Sequence, residues 1–180
     1  MKKIVIYAML CIVAFWSARI YSVNKEDISN EVYFEPGDIV SDGGMQYTLT
    51  ESKIYTIEEY EQLYDTDQQI IPAGNKVLCA CLEITNNTSE ELSWDDVMQF
   101  TIGGFEMTTW ASTPVMALGR PINTFETKAL EPGASQKVWY ATGLFRQSFK
   151  EKTWKNIKDC EFYYIPTFSP EKIMYRMYIE

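Results

Sequence analysis

Residues 76–85 constrain the fold of this chain more than any other stretch. Leu78, Ala80, Leu82 and Ile84 fall on one face of an extended segment, and Val77, Cys79, Cys81 and Glu83 fall on the other. Apolar residues at a period of two mark a half-buried strand, and the first set reads as core. A sheet with one apolar face must bury it against another layer. The same alternation recurs at residues 45–53, where Met45, Tyr47 and Leu49 alternate with Gln46, Thr48 and Thr50. It returns at residues 172–179, where Ile173, Tyr175, Met177 and Ile179 alternate with Met174, Arg176 and Tyr178. Shorter runs at 99–102, 105–108, 137–142 and 161–165 lie between turn residues. The pattern predicts an all-β domain, an antiparallel two-sheet sandwich. Gly103-Gly104 between two of the runs predicts a tight hairpin turn, because glycine supplies positive φ without steric cost.

Two segments break the β pattern. Thr56-Ile57-Glu58-Glu59 has the form of a capping box, which predicts a short helix to about Tyr64. Residues 147–155 form a second, weaker helical pattern. Asn86-Asn87-Thr88-Ser89 reads as a turn; it also contains glycosylation-type sequons at Asn86 and Asn87.

The beginning of the chain reads as an export signal. Lys2 and Lys3 precede an uncharged, mostly apolar run, residues 4–18, which Arg19 interrupts. Cys11 lies inside the run after Leu10, which excludes the lipidation pattern of a cysteine just beyond it. Two fates remain. One is cleavage after Ser22. The other is retention of residues 4–23 as a membrane-spanning anchor, long enough for a helix across a core of ~30 Å, with the lysines on the cytoplasmic side. Either way residues 1–22 form a signal or anchor, residues 23–36 a linker, and residues 37–180 the sandwich, secreted or held on the outer face of the cytoplasmic membrane.

Removal of residues 1–22 takes away three of the 16 basic residues and none of the 25 acidic ones, so the remainder carries a net charge of −12. Such a field disfavours nucleic acid and anionic lipid surfaces. Three cysteines remain outside the signal, an odd number that leaves at least one outside any intramolecular bridge. Cys79 and Cys81 are two apart on one strand face and are poorly placed to bridge each other. A disulfide from Cys160 to Cys79 or to Cys81 is the pairing that the sequence allows.

The chain has no histidine, which removes Ser-His-Asp and Cys-His nucleophilic sites and every His-ligated metal. Cys79-Ala80-Cys81 has one intervening residue where zinc sites use two to four. Residues 65–70 begin like a calcium loop but lack the third ligand and the glycine. Paired acids at Glu90-Glu91, Asp95-Asp96 and Asp65 with Asp67 are the only basis for a carboxylate-dependent hydrolase, and adjacent acids are usually solvated surface. The expectation is a domain that is not an enzyme and uses no cofactor or metal.

Two motifs carry a resemblance. The run Ala80-Cys81-Leu82-Glu83-Ile84-Thr85-Asn86-Asn87-Thr88-Ser89 resembles the apolar strand and Asn-Asn-Ser/Thr turn of bacterial telokin-like sandwiches. Leu130-Glu131-Pro132-Gly133-Ala134-Ser135, leading into Val138-Trp139-Tyr140, resembles their Leu-x-Pro-Gly turn before a late strand. These are exported immunoglobulin-like domains of Gram-positive bacteria, many of them of unknown function. The resemblance covers residues 37–180 and departs from the simplest members in the 56–64 helix and the long 108–125 connection. It implies an immunoglobulin-like sandwich, export, and a binding or accessory role; it brings no catalytic residue.

The long connection supplies the candidate partner-binding loop: Trp110, Val115, Met116, Leu118 and Arg120, apolar anchors set among polar residues. Loops at the ends of a rigid sandwich commonly carry binding. The competing reading is that this loop folds back and caps the core. The expected function is an extracellular, non-catalytic binding or accessory domain that contacts another cell-envelope protein. The alternative is a cell-wall or glycan binding module, which would expose Trp110 and other aromatics together on one face.

Overall fold

A computed structural model describes residues 30–64, 74–101, 103–113, 115–116 and 129–180, with residues 9, 12–17 and 19 of the N-terminal segment. Residues 12–17 are helical; among the described residues no helix is long and apolar enough to cross a membrane. Most of the expected signal or anchor, and the calcium-like loop at 65–70, lie outside the described residues.

The expected two-sheet sandwich is formed. The front sheet comprises β1 (Glu31–Phe34), β12 (Lys172–Met177), β11 (Phe162–Thr167), β6 (Gly104–Met107) and β7 (Trp110–Ser112), in that spatial order. The back sheet comprises β2 (Val40–Asp42), β3 (Met45–Thr56), β4 (Lys76–Asn86), β10 (Ser135–Leu144) and β8 (Val115–Met116). A small ladder pairs β5 (Leu92–Ser93) with β9 (Ala129–Leu130). Leu78, Ala80, Leu82 and Ile84 of β4 are fully buried between the sheets, against Phe105, Phe162, Tyr164 and Tyr175 of the front sheet. Ser112 Oγ lies 2.6 Å from Thr142 Oγ1, a polar link from edge strand β7 to β10 across the sandwich.

The other face of β4 is not exposed. Helix α1 (Ile57–Tyr64) follows β3 and packs Ile57, Tyr60 and Leu63 over Val77, Cys79 and Ala141, with Tyr55 and Trp139 alongside. Its capping box is made as the sequence predicts: the Thr56 amide donates to Glu59 Oε2 (2.8 Å) and the Glu59 amide to Thr56 Oγ1 (3.2 Å). Within β3 the register shifts between Leu49 and Glu51. One extra residue, Thr50, turns the buried set from Met45, Tyr47 and Leu49 to Ser52 and Ile54. Thr50 Oγ1 donates to the Cys81 carbonyl (3.2 Å) and fixes the bulge to β4.

Three expectations are corrected. The segment read as linker already contains β1, which pairs in parallel with β12, from Glu31 opposite Lys172 to Phe34 opposite Tyr175. A four-residue strand with two inward side chains, Val32 and Phe34, has too short a pattern to register as a strand. The run at 99–102 is no strand, because α2 (Trp94–Thr101) occupies it. Ser93 starts this helix, accepting from the Asp96 amide (3.2 Å) and donating to Asp96 Oδ2 (2.6 Å). Gly103-Gly104 is therefore no hairpin turn, and neither glycine has positive φ. Gly103 is needed for close approach: a Cβ there would stand 1.4 Å from the Ile165 carbonyl oxygen. The true hairpin joins β6 to β7 through residues 108–109. The weaker helical pattern near 150 is real, as a 3-10 turn (Arg146–Ser148) and α3 (Glu151–Lys155).

Candidate functional site

Trp110, the one candidate loop residue whose exposure is described, is not an exposed anchor. Trp110 lies in β7, partly buried against the inter-sheet core, with its ring centroid 5.9 Å from Phe149 and 6.1 Å from Phe162. Phe149 in turn meets Trp154 at 5.8 Å, and Lys76 Nζ sits 5.1 Å over the Trp154 ring. These aromatics plug one end of the sandwich, so the capping reading holds for Trp110. Val115 and Met116 form β8 and pair with Ala141 and Tyr140 of β10. Leu118 and Arg120 lie outside the described residues.

No disulfide joins Cys160 to Cys79 or Cys81. Cys79 packs under α1 on the outside of the back sheet, whereas Cys160 packs against the inter-sheet core, so the sheet stands between them. Burial pushes the Cys81 thiol up to about 11, and it raises Cys160 as well. These are poorly nucleophilic thiols. Of the paired acids, Asp96 is engaged with Ser93 at the start of α2, and Asp65 and Asp67 lie outside the described residues.

The solvent side of the front sheet gathers the side chains that the sequence reading left unassigned. In β1 the alternation sends Val32 and Phe34 inward and Glu31 and Tyr33 outward; Phe34 meets Tyr175 in the core at 5.7 Å. In β12, Tyr175 and Met177 point inward, while Lys172 and Arg176, with Tyr178 just beyond, face out. Tyr163 of β11 lies opposite Glu106 of β6 on one side and Arg176 of β12 on the other. Tyr33 and Tyr178 are more than half exposed, at 57% and 58%. Tyr33 and Tyr163 meet edge to face with centroids 5.6 Å apart.

The charges on this face are interlocked. Lys172 Nζ bridges Glu106 Oε2 (2.8 Å) and Glu31 Oε1 (3.1 Å), with only 13% of its side chain exposed. Burial alone would lower the Lys172 ammonium, but its hydrogen bonds to Glu106 and Glu31 outweigh it and the pKa rises. Tyr33 donates to Glu31 Oε2 (2.7 Å), and Tyr178 donates to Glu35 Oε2 (2.7 Å). The Tyr33 bond, then Lys172, holds the Glu31 carboxyl below its ordinary value. Arg176 pairs with Glu161 (2.9 Å) and lies 5.6 Å from the Tyr178 ring centre. Desolvation, then a hydrogen bond with Glu161, pushes Tyr163 up to about 12. Isolated surface ion pairs contribute little. Here a nearly buried lysine and three tyrosines fix the side chains of four strands into one rigid surface.

A sequence signal for this face existed. Glu31-Val32-Tyr33, Glu161-Phe162-Tyr163 and Arg176-Met177-Tyr178 repeat one spacing, a charge and a tyrosine two apart around an inward apolar residue. On strands that spacing puts charge and ring on the same face.

Fold and site together define a β-sandwich with one interlocked tyrosine-and-charge face. Residues 24–173 match the domain-of-unknown-function family DUF5028, and the chain belongs to that family. No curated protein matches it. Among solved structures it is similar to an uncharacterized β-sandwich protein of Clostridium difficile 630, at 15% identity and a TM-score of 0.52, covering 83% of this chain and 94% of that one. A conserved hypothetical protein of Bacillus anthracis matches at 10% identity and a TM-score of 0.47, over 78% of this chain and 94% of that one. A functionally unknown protein of Listeria monocytogenes EGD-e matches at 7% identity and 0.47, over 72% and 71%. The first of these shares the sandwich architecture.

Proposed function

We propose that this chain is an exported, non-catalytic binding or accessory domain of the telokin-like kind found in Gram-positive bacteria. It is secreted or held on the outer face of the cytoplasmic membrane, and it contacts another cell-envelope protein. The observation that carries this reading is the front-sheet face. Tyrosine and arginine are enriched where binding energy concentrates, and here Tyr33, Tyr163, Tyr178 and Arg176 are pre-positioned on a rigid sheet. A face already fixed by its own hydrogen bonds loses little side-chain entropy on docking. The basic start and apolar run of residues 2–18 support export.

The more than half-exposed rings of Tyr33 and Tyr178 also favour the alternative, a cell-wall or glycan binding module that uses aromatic platforms. The test incubates the exported protein with detergent-solubilised membrane proteins and, separately, with washed cell walls. The native chain is compared with a Tyr33→Ala/Tyr178→Ala variant. Capture of one discrete membrane protein that the variant loses supports the accessory role. Sedimentation with walls that the variant loses moves the assignment to the glycan module. A protein that stays in the cytoplasm with its N-terminal segment intact contradicts the export reading.

A further inference from the structure

We infer that the front-sheet face recognises a basic, arginine- or lysine-bearing segment of its protein partner; this rests on the protein-binding reading above. Three features of the face converge on that chemistry. Its charge is the first. Within its described ion-pair and hydrogen-bond network Glu31, Glu35, Glu106 and Glu161 outnumber Lys172 and Arg176, so the network carries an excess of negative charge within a region of the chain already at −12.

The second is hydrogen-bond polarity. The hydroxyl protons of Tyr33 and Tyr178 are already donated to Glu31 and Glu35, and the Lys172 ammonium is shared between two carboxylates. What remains for an incoming group is dominated by acceptors: carboxylate and phenol oxygen lone pairs. Arg176 is the exception, and it is committed on one side to Glu161. A surface of fixed acceptors favours a donor-only partner, and among side chains lysine and arginine carry donors and no acceptors.

The third is the rings themselves. Tyr33 and Tyr178 are more than half exposed beside carboxylates, and a cation over an aromatic face is attracted by the ring quadrupole. The face already shows this preference internally, with the Arg176 guanidinium 5.6 Å from the Tyr178 ring centre. An acidic partner is repelled by the charge, and a neutral one gains hydrogen bonds or ring contact without the charge attraction.

The experiment measures binding of the full chain in detergent to three labelled octapeptides: alternating arginine and glycine, alternating glutamate and glycine, and alternating serine and glycine. Chito-hexaose is the fourth probe. General attraction to an acidic protein is separated from recognition by variants that leave the charge unchanged. Tyr33→Leu/Tyr178→Leu removes both rings, Tyr33→Phe/Tyr178→Phe keeps them, and Tyr55→Leu alters a tyrosine on the back sheet.

The expected result is binding of the arginine peptide alone, weakened about five-fold or more by the leucine pair and less than about two-fold by the phenylalanine pair and by Tyr55→Leu. Thermal melts of each variant confirm folding; should the leucine pair not fold, the single variants Tyr33→Leu and Tyr178→Leu, which also leave the charge unchanged, must each weaken the same binding. Equal binding by native chain and folded leucine pair would mean bulk charge attraction and would overturn the inference. Chito-hexaose binding that the leucine pair loses would overturn both the inference and the protein-partner reading. Capture of a membrane protein lost in the leucine pair, without arginine-peptide binding, would overturn the inference alone.

Discussion

Asn86 makes four side-chain hydrogen bonds from a fully buried position. Its Nδ2 donates to the Glu90 and Leu130 carbonyls (2.8 Å each), and its Oδ1 accepts from the Thr88 amide (2.9 Å) and hydroxyl (2.7 Å). Its backbone adds bonds to Ala134 O and from Gly133 N. Asn86→Ala leaves several of these groups without partners, and we expect a loss of about 3 kcal/mol in urea unfolding. Tyr47 is the opposite case. Its hydroxyl is buried without a hydrogen-bond partner among the described residues, so Tyr47→Phe should raise stability by up to about 1 kcal/mol. Burial raises the phenols of Tyr47, Tyr164 and Tyr175 above their ordinary value of 10. The unfolded chain loses these protons at about pH 10 while the folded chain keeps them. Stability is therefore fully present below that pH and falls as pH rises further. A stability series across that range, with phenolate absorbance followed in parallel, should show ionisation of the buried tyrosines only together with unfolding.

Secondary-structure elements show where local pattern was sufficient and where it was not. The Thr56–Glu59 box was readable because side chain and backbone partners are four residues or fewer apart. The equivalent Ser93–Asp96 start of α2 went unread because the glycine pair after it suggested a hairpin. The role of Gly103 depends on β11, sixty residues later, and only the fold reveals it. Gly103→Ala would place a methyl group into the Ile165 carbonyl. We expect a loss of ~3 kcal/mol or more, or failure to accumulate as folded protein, read by urea melts and soluble yield. The β3 bulge was visible only as a change of phase, from buried odd positions at 45–49 to buried Ile54. The hidden face of β4 followed from α1 docking on it, which no period within β4 could announce.

For the whole molecule, the sandwich was legible because its strands alternate cleanly, and the two motifs of the resemblance proved to be physical neighbours. Asn86 of the first bonds to Leu130, Gly133 and Ala134 of the second. The front-sheet face proposed for binding was not legible, because it needs β1, β12, β11 and β6 side by side, and β1 lies within an apparent linker. Trp110 has the residue type of a binding anchor, but its ring packs into one end of the sandwich. The thiols make a further test: with no bridge among the described cysteines, the melting temperature of the domain should be the same with and without reductant, whereas a native disulfide in a domain of this size would contribute about 2–4 kcal/mol.

The parallel pairing of β1 with β12 has a mechanical consequence. The first and last strands run side by side in the same direction, so the chain enters at one pole of the domain and leaves near the other. Tension applied between residue 30 and the C-terminal pole would pull these strands past each other lengthwise. The ladder from Glu31–Lys172 to Phe34–Tyr175, together with the Glu31–Lys172 ion pair, would then bear the load in shear, all its bonds at once. Such an arrangement would resist tension between the two poles without opening the core.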